Sequence, residues 1–201
     1  MHEAARENTE AIRALSILGA FFFAVAAIGY ILSASWHGDI PRDGTSLVVG
    51  RDFLNFWMYG RAAPTADPGR FYDAVEYNRA LEAMLGANYP GQNWSYPPSI
   101  FFLAAPFGQL GYLTALLLWT LLGATIFFAV ARRHIADNRL LVALMLSPAA
   151  VFCIISGQSS LVTAAMLMTI FAWLDRRPVA AGLLIGLLTL KPQLGVLFPV
   201  M

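Results

Sequence analysis

The stretch LSILGAFFFAVAAIGYILS, from Leu15 to Ser33, contains no charged residue. About 20 consecutive apolar residues are needed for an α-helix to cross the hydrocarbon core of a bilayer, and this stretch is close to that length. The segment before it carries acidic as well as basic residues, and no small-residue cleavage site followed by a soluble domain appears. We therefore predict an uncleaved transmembrane helix at residues 15–33, preceded by a cytoplasmic N-terminus at residues 1–14.

The composition of the whole chain is that of a membrane protein. Of its 201 residues, 58% are hydrophobic and 12% are charged, whereas about a quarter of the residues in a soluble domain are charged. A net charge of +1 provides no basic surface for a phosphate backbone, so nucleic acid is excluded as a partner. The single cysteine, Cys153, excludes an intramolecular disulfide and a cysteine-ligated metal cluster.

Further apolar segments predict an all-α polytopic membrane protein with about five transmembrane helices. Residues 99–131 form an apolar segment that prolines and glycines interrupt, and we expect one net crossing from it. Three more helices are predicted at residues 140–155, 161–174 and 179–201. Because the last segment has no polar end, we expect the sequence to be the N-terminal portion of a longer protein.

Arginine pairs predict the orientation of these helices. Short cytoplasmic loops collect Lys and Arg, which places the Arg132-Arg133 and Arg176-Arg177 loops inside. The loop at residues 34–98 and the turn at residues 157–160 then lie on the outer side. Twelve arginines against one lysine are typical of a high-GC bacterial genome, so we expect a multi-pass protein of the bacterial inner membrane.

The outer loop carries most of the polar chemistry, with seven of the twelve acidic residues of the chain. Inside it, the pattern predicts a helix near residues 52–63 with one apolar face and one polar face. The apolar face comprises Phe53, Phe56 and Trp57, and the polar face comprises Asp52, Asn55 and Tyr59. Such a helix is typical of the membrane interface. From this pattern alone Asp52 is a reactive carboxylate, the N-cap of the helix, or both.

Lys191, the only lysine, lies inside the last apolar segment. A cation within a membrane is costly and is by default a candidate for function. Pro192 opens the helix behind it, so that Lys191, Gln193 and freed carbonyl groups can line a polar cavity. A phosphate is the natural partner, since the neighbouring spans hold no acidic residue. The alternative is a lysine that extends its ammonium group to the outer interface.

Three further residues are weaker candidates for substrate contact. Trp94 and Tyr96 precede Pro97-Pro98 at the outer interface, where an aromatic belt and a helix start are the alternative explanation. Gln158 lies in the outer turn and is either a loop residue or a ligand contact. The three histidines lack metal-ligand spacing and no phosphate-binding loop occurs, so we predict neither a metal nor a cofactor.

Several motifs occur in a characteristic order. They are Gly50-Arg51-Asp52-Phe53 with Trp57 and Gly60-Arg61, then Phe71-Tyr72-Asp73, Trp94-Ser95-Tyr96-Pro97-Pro98, Ser147-Pro148-Ala149, Gly157-Gln158, Arg176-Arg177-Pro178 with Ala181-Gly182, and Lys191-Pro192-Gln193. In this order and spacing, the chain from about residue 50 onward resembles glycosyltransferase family 87.

The resemblance implies an integral membrane enzyme that moves a hexose, with mannose as the expected sugar, from a polyprenyl-phosphate carrier to a lipid-linked or glycan acceptor at the outer face. It implies that Asp52, early in the first outer loop, is the catalytic base of an inverting displacement. The expected substrate-binding residues are Arg51, Arg61, Asn55, Trp94, Tyr96, Gln158, Lys191 and Gln193. The alternative is a non-enzymatic transporter or lipid-handling subunit, which the acidic and aromatic outer loop disfavours.

Overall fold

The described part of the chain folds into nine α-helices, without any β-strand. The structure is a computed structural model that describes residues 2–191 and residue 194. The helices are α1 (His2–Ser33), α2 (Arg51–Ala62), α3 (Ala74–Leu85), α4 (Ile100–Gly108), α5 (Tyr112–His134), α6 (Asn138–Met145), α7 (Pro148–Ser156), α8 (Ser160–Trp173) and α9 (Pro178–Leu187). Short 3₁₀ turns cover Pro68–Tyr72 and Leu188–Leu190. The predicted all-α membrane fold class is confirmed.

Two of the described helices, α1 over Glu7–Ser33 and α5, are long and apolar enough to cross a membrane. Helices α6 and α7 make a third span if the pair, bent by 46°, is counted as one. Helix α8 has 14 residues and α9 has 10, so both are apolar but short. The described residues thus contain two or three helices of spanning length, and Pro148, Gly157 and Pro178 start or end the shorter ones. The last predicted segment, 179–201, extends beyond the described residues, so five crossings stay a prediction.

Helices α1 and α5 run in opposite directions, so the two ends of the bundle differ. At one end Tyr30 of α1 accepts a hydrogen bond from the Gly50 N–H (2.8 Å), and Tyr112, at the start of α5, donates to the Gly50 carbonyl (3.1 Å). At the other end Ser16 of α1 donates to the carbonyl of Arg139, beyond the end of α5 (3.0 Å). The loop before α2 therefore meets α1 and α5 at the end opposite to the basic last turn of α5.

Helix α2 is enclosed by protein over most of its length. It crosses α4 where Gly60 faces Gly108, and a Cβ atom on Gly108 would lie 2.0 Å from the Gly60 carbonyl carbon. Tyr59, which the sequence pattern places on the polar face, is fully buried, and its hydroxyl accepts from the Tyr96 N–H (2.7 Å). The helix is therefore buried on more sides than the amphipathic pattern indicates.

Candidate active site

A cavity of about 1290 Å³ opens beside the first turn of α2. Its polar wall comes from α2, the segment before α4 and the turn between α7 and α8, and its apolar wall comes from α4, α8 and α9. The polar side chains include Arg51, Asp52, Asn55, Gln92, Asn93, Tyr96, Gln158 and Lys191, and the apolar ones include Phe102, Leu103, Val162, Met166, Leu187 and Leu190. A ligand with a polar head and an apolar chain matches this division.

Asp52 lies in the first turn of α2 and does not cap the helix. The N-cap position belongs to Gly50, whose φ of 69° is in the left-handed region that glycine adopts without strain. The carbonyl of Gly50 accepts from Tyr112 of α5, and its N–H donates to Tyr30 of α1, so two other helices fix the start of α2. The Asp52 carboxylate lines the cavity, and its Oδ2 accepts a hydrogen bond from Nε2 of Gln158 (2.7 Å).

The turn that carries Gln158 packs directly on α2. Gly157 ends α7 in a left-handed conformation (φ 70°), and a Cβ atom there would lie 2.7 Å from Cβ of Phe53. The Trp119 indole N–H donates to the Gly157 carbonyl (3.1 Å), and the Ser160 hydroxyl donates to Oε1 of Gln158 (2.9 Å). From the sequence, Gln158 is either a loop residue or a ligand contact. In the structure it donates a hydrogen bond to Asp52.

Two cations line the same cavity as Asp52. Lys191 follows the Leu188–Leu190 turn and faces the cavity from the end of α9. Arg51 places its Nε 3.9 Å from Oδ1 of Asp52, and the two side chains are 58% and 37% exposed. Solvent screens such a long, exposed ion pair, so Arg51 binds Asp52 weakly. Gln193, the other candidate near Lys191, lies outside the described residues.

Asn55 and Tyr96 shape the wall next to Asp52. The Asn55 carboxamide donates to the carbonyl of Asn93 (2.9 Å) and accepts from the hydroxyl of Tyr77, so it joins α2 to the segment before α4. Burial, followed by the charge of Asp52, raises the pKa of the Tyr96 phenol despite an opposing hydrogen bond. Tyr96 therefore stays protonated at neutral pH and can donate a hydrogen bond to a ligand.

Arg61 and Trp94, two of the predicted substrate contacts, are not among the residues that line the cavity. The guanidinium of Arg61 lies over the ring of Trp57, 4.9 Å from its centroid. Trp94 packs among aromatic rings, with Tyr59 of α2 and Tyr77 of α3 as neighbours. Both residues thus contact the packed part of the outer loop.

The cavity and supporting residues that the sequence does not predict include Gln92, Asn93 and Ser160. The backbone N–H of Gln92 donates to Oδ1 of Asn78 (3.2 Å), which holds this polar segment against the cavity. The only indication in the sequence is that uncharged polar residues stand beside apolar helices. Within the described residues no group of three or more His, Cys, Asp or Glu side chains could hold a metal ion.

Comparison with known families identifies a match to this chain. The family model for glycosyltransferase family 87 matches residues 94–201, more than half of the chain, and this range contains Tyr96, Gln158 and Lys191. No curated protein and no solved structure matches the chain.

Proposed function

Because the chain belongs to glycosyltransferase family 87 and is therefore a membrane glycosyltransferase, we propose that it transfers mannose from a polyprenyl-phosphate carrier to a lipid-linked or glycan acceptor. One observation carries this proposal: a carboxylate, Asp52, and a cation, Lys191, line a single cavity that also has a long apolar wall. The polar part suits a sugar phosphate, and the apolar part suits a prenyl chain.

In the proposed step Asp52 is the general base. Its Oδ1 takes the proton of the acceptor hydroxyl while that oxygen attacks the anomeric carbon of the sugar. The bond between the anomeric carbon and the phosphate oxygen breaks, and its electron pair leaves with the polyprenyl phosphate. A single displacement inverts the anomeric centre. The phosphate is already a good leaving group, so the protein has to supply mainly the base and a counter-charge.

Lys191 is the proposed counter-charge for the departing phosphate. Its ammonium group is compact and carries three donors, which suits a phosphate that gains negative charge in the transition state. Arg51 is the better placed of the two arginines predicted as secondary contacts, because it lines the cavity and Arg61 stacks on Trp57. Tyr96, Gln92 and Asn93 of the polar wall are left to contact sugar hydroxyl groups.

The arginine pairs support an outward-facing site, and the excess of arginine over lysine supports a bacterial inner membrane. The cavity lies beside the start of α8, whereas Asp175-Arg176-Arg177 follows the end of α8. The last turn of α5 is likewise basic, with Arg132 and Arg133. Since arginines of short loops stay in the cytoplasm, the cavity opens to the periplasm or exterior.

The decisive experiment replaces Asp52 by Asn in the intact protein. Membranes containing the variant are incubated with radiolabelled mannosyl polyprenyl phosphate, and label in the native acceptor lipids or glycans is measured. We expect turnover to fall by about 10² to 10⁴-fold, the usual contribution of a general base. The matched control is Asp39→Asn, an exposed carboxylate of the same loop, which should leave turnover unchanged. Undiminished turnover in Asp52→Asn with normal expression would overturn the base assignment.

A further inference from the structure

Gln158 and Asp52, 106 positions apart in the sequence, form one of the few long-range contacts between polar side chains in the described residues. An ionised carboxylate can only accept, so the amide group that faces Oδ2 of Asp52 is the NH₂ of Gln158. Ser160 fits this orientation, because its hydroxyl donates to the other end of the same amide, Oε1. The order of donors and acceptors is therefore consistent from Ser160 to Asp52.

The hydrogen bond makes the two oxygens of Asp52 different. Oδ2 accepts from the Gln158 amide, whereas the one contact that Oδ1 makes with the described residues is the long, exposed ion pair with Arg51. The terminal torsion of an aspartate is broad and roughly two-fold, so an unrestrained carboxylate rotates freely. A bond to one oxygen selects one orientation and presents the other oxygen to the cavity. A neutral amide does this without cancelling the negative charge, as a close cation would.

The turn between α7 and α8 is built to hold this geometry. Gly157 allows the left-handed bend, its carbonyl accepts from Trp119 of α5, and it lies so close to Phe53 of α2 that a Cβ atom would overlap it. A turn fixed by two helices cannot move away from Asp52 without breaking these contacts. Gln158 is thus held more rigidly than a loop residue that only meets a ligand.

We propose that Gln158, oriented by Ser160, is a positioning residue that holds the Asp52 carboxylate with Oδ1 toward the acceptor hydroxyl. In this role Gln158 acts on the base and does not bind the substrate. The inference rests on the proposed function, since it requires Asp52 to be the base.

The test compares Gln158→Leu, which removes the amide at similar size, with Ser160→Ala and with the double variant. We expect kcat for mannosyl transfer to fall by about 10- to 100-fold in Gln158→Leu, the range for a lost hydrogen bond to a charged group, with the donor KM unchanged. Ser160→Ala should lower kcat by only a few fold. It should have no further effect in the Gln158→Leu background, because Ser160 acts through Gln158. Gln109→Leu, at the exposed end of α4, is the control with wild-type kinetics.

Each contrary result points to a different failure. A raised donor KM with unchanged kcat in Gln158→Leu would mean that Gln158 binds substrate and would overturn the inference. Additive effects of the two substitutions would overturn the role of Ser160 as its support. An inactive Asp52→Asn variant beside a fully active Gln158→Leu variant would reject this inference alone. Full activity of Asp52→Asn would reject the base assignment and this inference with it. If Gln158→Leu fails to fold, the kcat of Ser160→Ala decides, and an unchanged kcat there would reject the proposal.

Discussion

The first and last turns of α2 differ in how tightly they are packed. Asp52, in the first turn, is partly exposed and has a hydrogen bond from a distant turn as its close polar contact. Gly60, near the end, faces Gly108 at a distance that leaves no room for a side chain. The proposed base therefore lies at the accessible end of a helix whose other end is immobilised. Packing at the second end fixes the position of Asp52 at the first.

The largest effect is expected where the packed end is broken. In Gly108→Ala the new methyl group would overlap the Gly60 backbone, so α2 and α4 must separate. Overpacking of this kind costs about 1–3 kcal/mol of unfolding free energy, and turnover should fall as Asp52 shifts. Thermal unfolding in detergent and the mannosyl-transfer assay measure both effects. The control is Gly111→Ala, where no atom lies within 4 Å; equal melting temperatures for the two variants would contradict the packing argument.

The second prediction addresses the cation that shares the cavity with the first turn. Lys191→Ala should weaken binding of sugar-free polyprenyl phosphate by about 10- to 100-fold, through loss of a charge-assisted contact. Acceptor KM should change much less, because the ammonium group is assigned to the phosphate. A binding measurement in detergent micelles gives the affinity for polyprenyl phosphate, and steady-state kinetics give the acceptor KM. Equal losses for donor and acceptor would count against a phosphate role.

A smaller effect is expected at Tyr59, whose hydroxyl joins the packed end of α2 to the wall before α4. It accepts from the Tyr96 N–H and donates to the Tyr96 carbonyl (3.1 Å). Tyr59→Phe leaves these backbone groups without that partner and should lower the unfolding free energy by about 1–3 kcal/mol. Turnover at a permissive temperature should be nearly normal. A variant of wild-type stability but low turnover would instead place the Tyr59 hydroxyl in the chemistry.

The smallest predicted effects separate the two arginines at the ends of α2. Arg51→Ala, at the accessible end, should raise the donor KM by a few fold, since an exposed charge contributes little. Arg61→Ala removes a cation–π contact with Trp57 and should lower stability by about 0.5–1 kcal/mol without changing KM. Kinetics and thermal unfolding of both variants check this assignment. The opposite pattern would return Arg61 to the list of substrate contacts.

Local patterns in the sequence predict the helices better than they predict the contacts between helices. The uncharged run at residues 15–33 lies within α1, and the spacing of Phe53, Phe56 and Trp57 indicates α2, because both depend on residues a few positions apart. The bond from Gln158 to Asp52 and the approach of Gly60 to Gly108 depend on tertiary packing, which periodicity does not contain. The sequence pattern does not predict the burial of Tyr59 for the same reason, because its hydroxyl hydrogen-bonds to a backbone carbonyl that lies far away in the sequence.

The shortness of α8 has a consequence for the lipids around the protein. Its 14 residues extend about 21 Å, whereas a typical hydrocarbon core is about 30 Å thick. Polar residues bound the helix on both sides, with Gln158 before it and Asp175 after it, so its apolar length cannot be extended. If α8 crosses the bilayer, as the predicted topology has it, hydrophobic mismatch favours a bilayer that thins beside the helix. Under the proposed function, a depression of the outer leaflet there would lower phosphate headgroups to the level of the cavity, so that a lipid-linked donor could enter sideways without leaving the membrane.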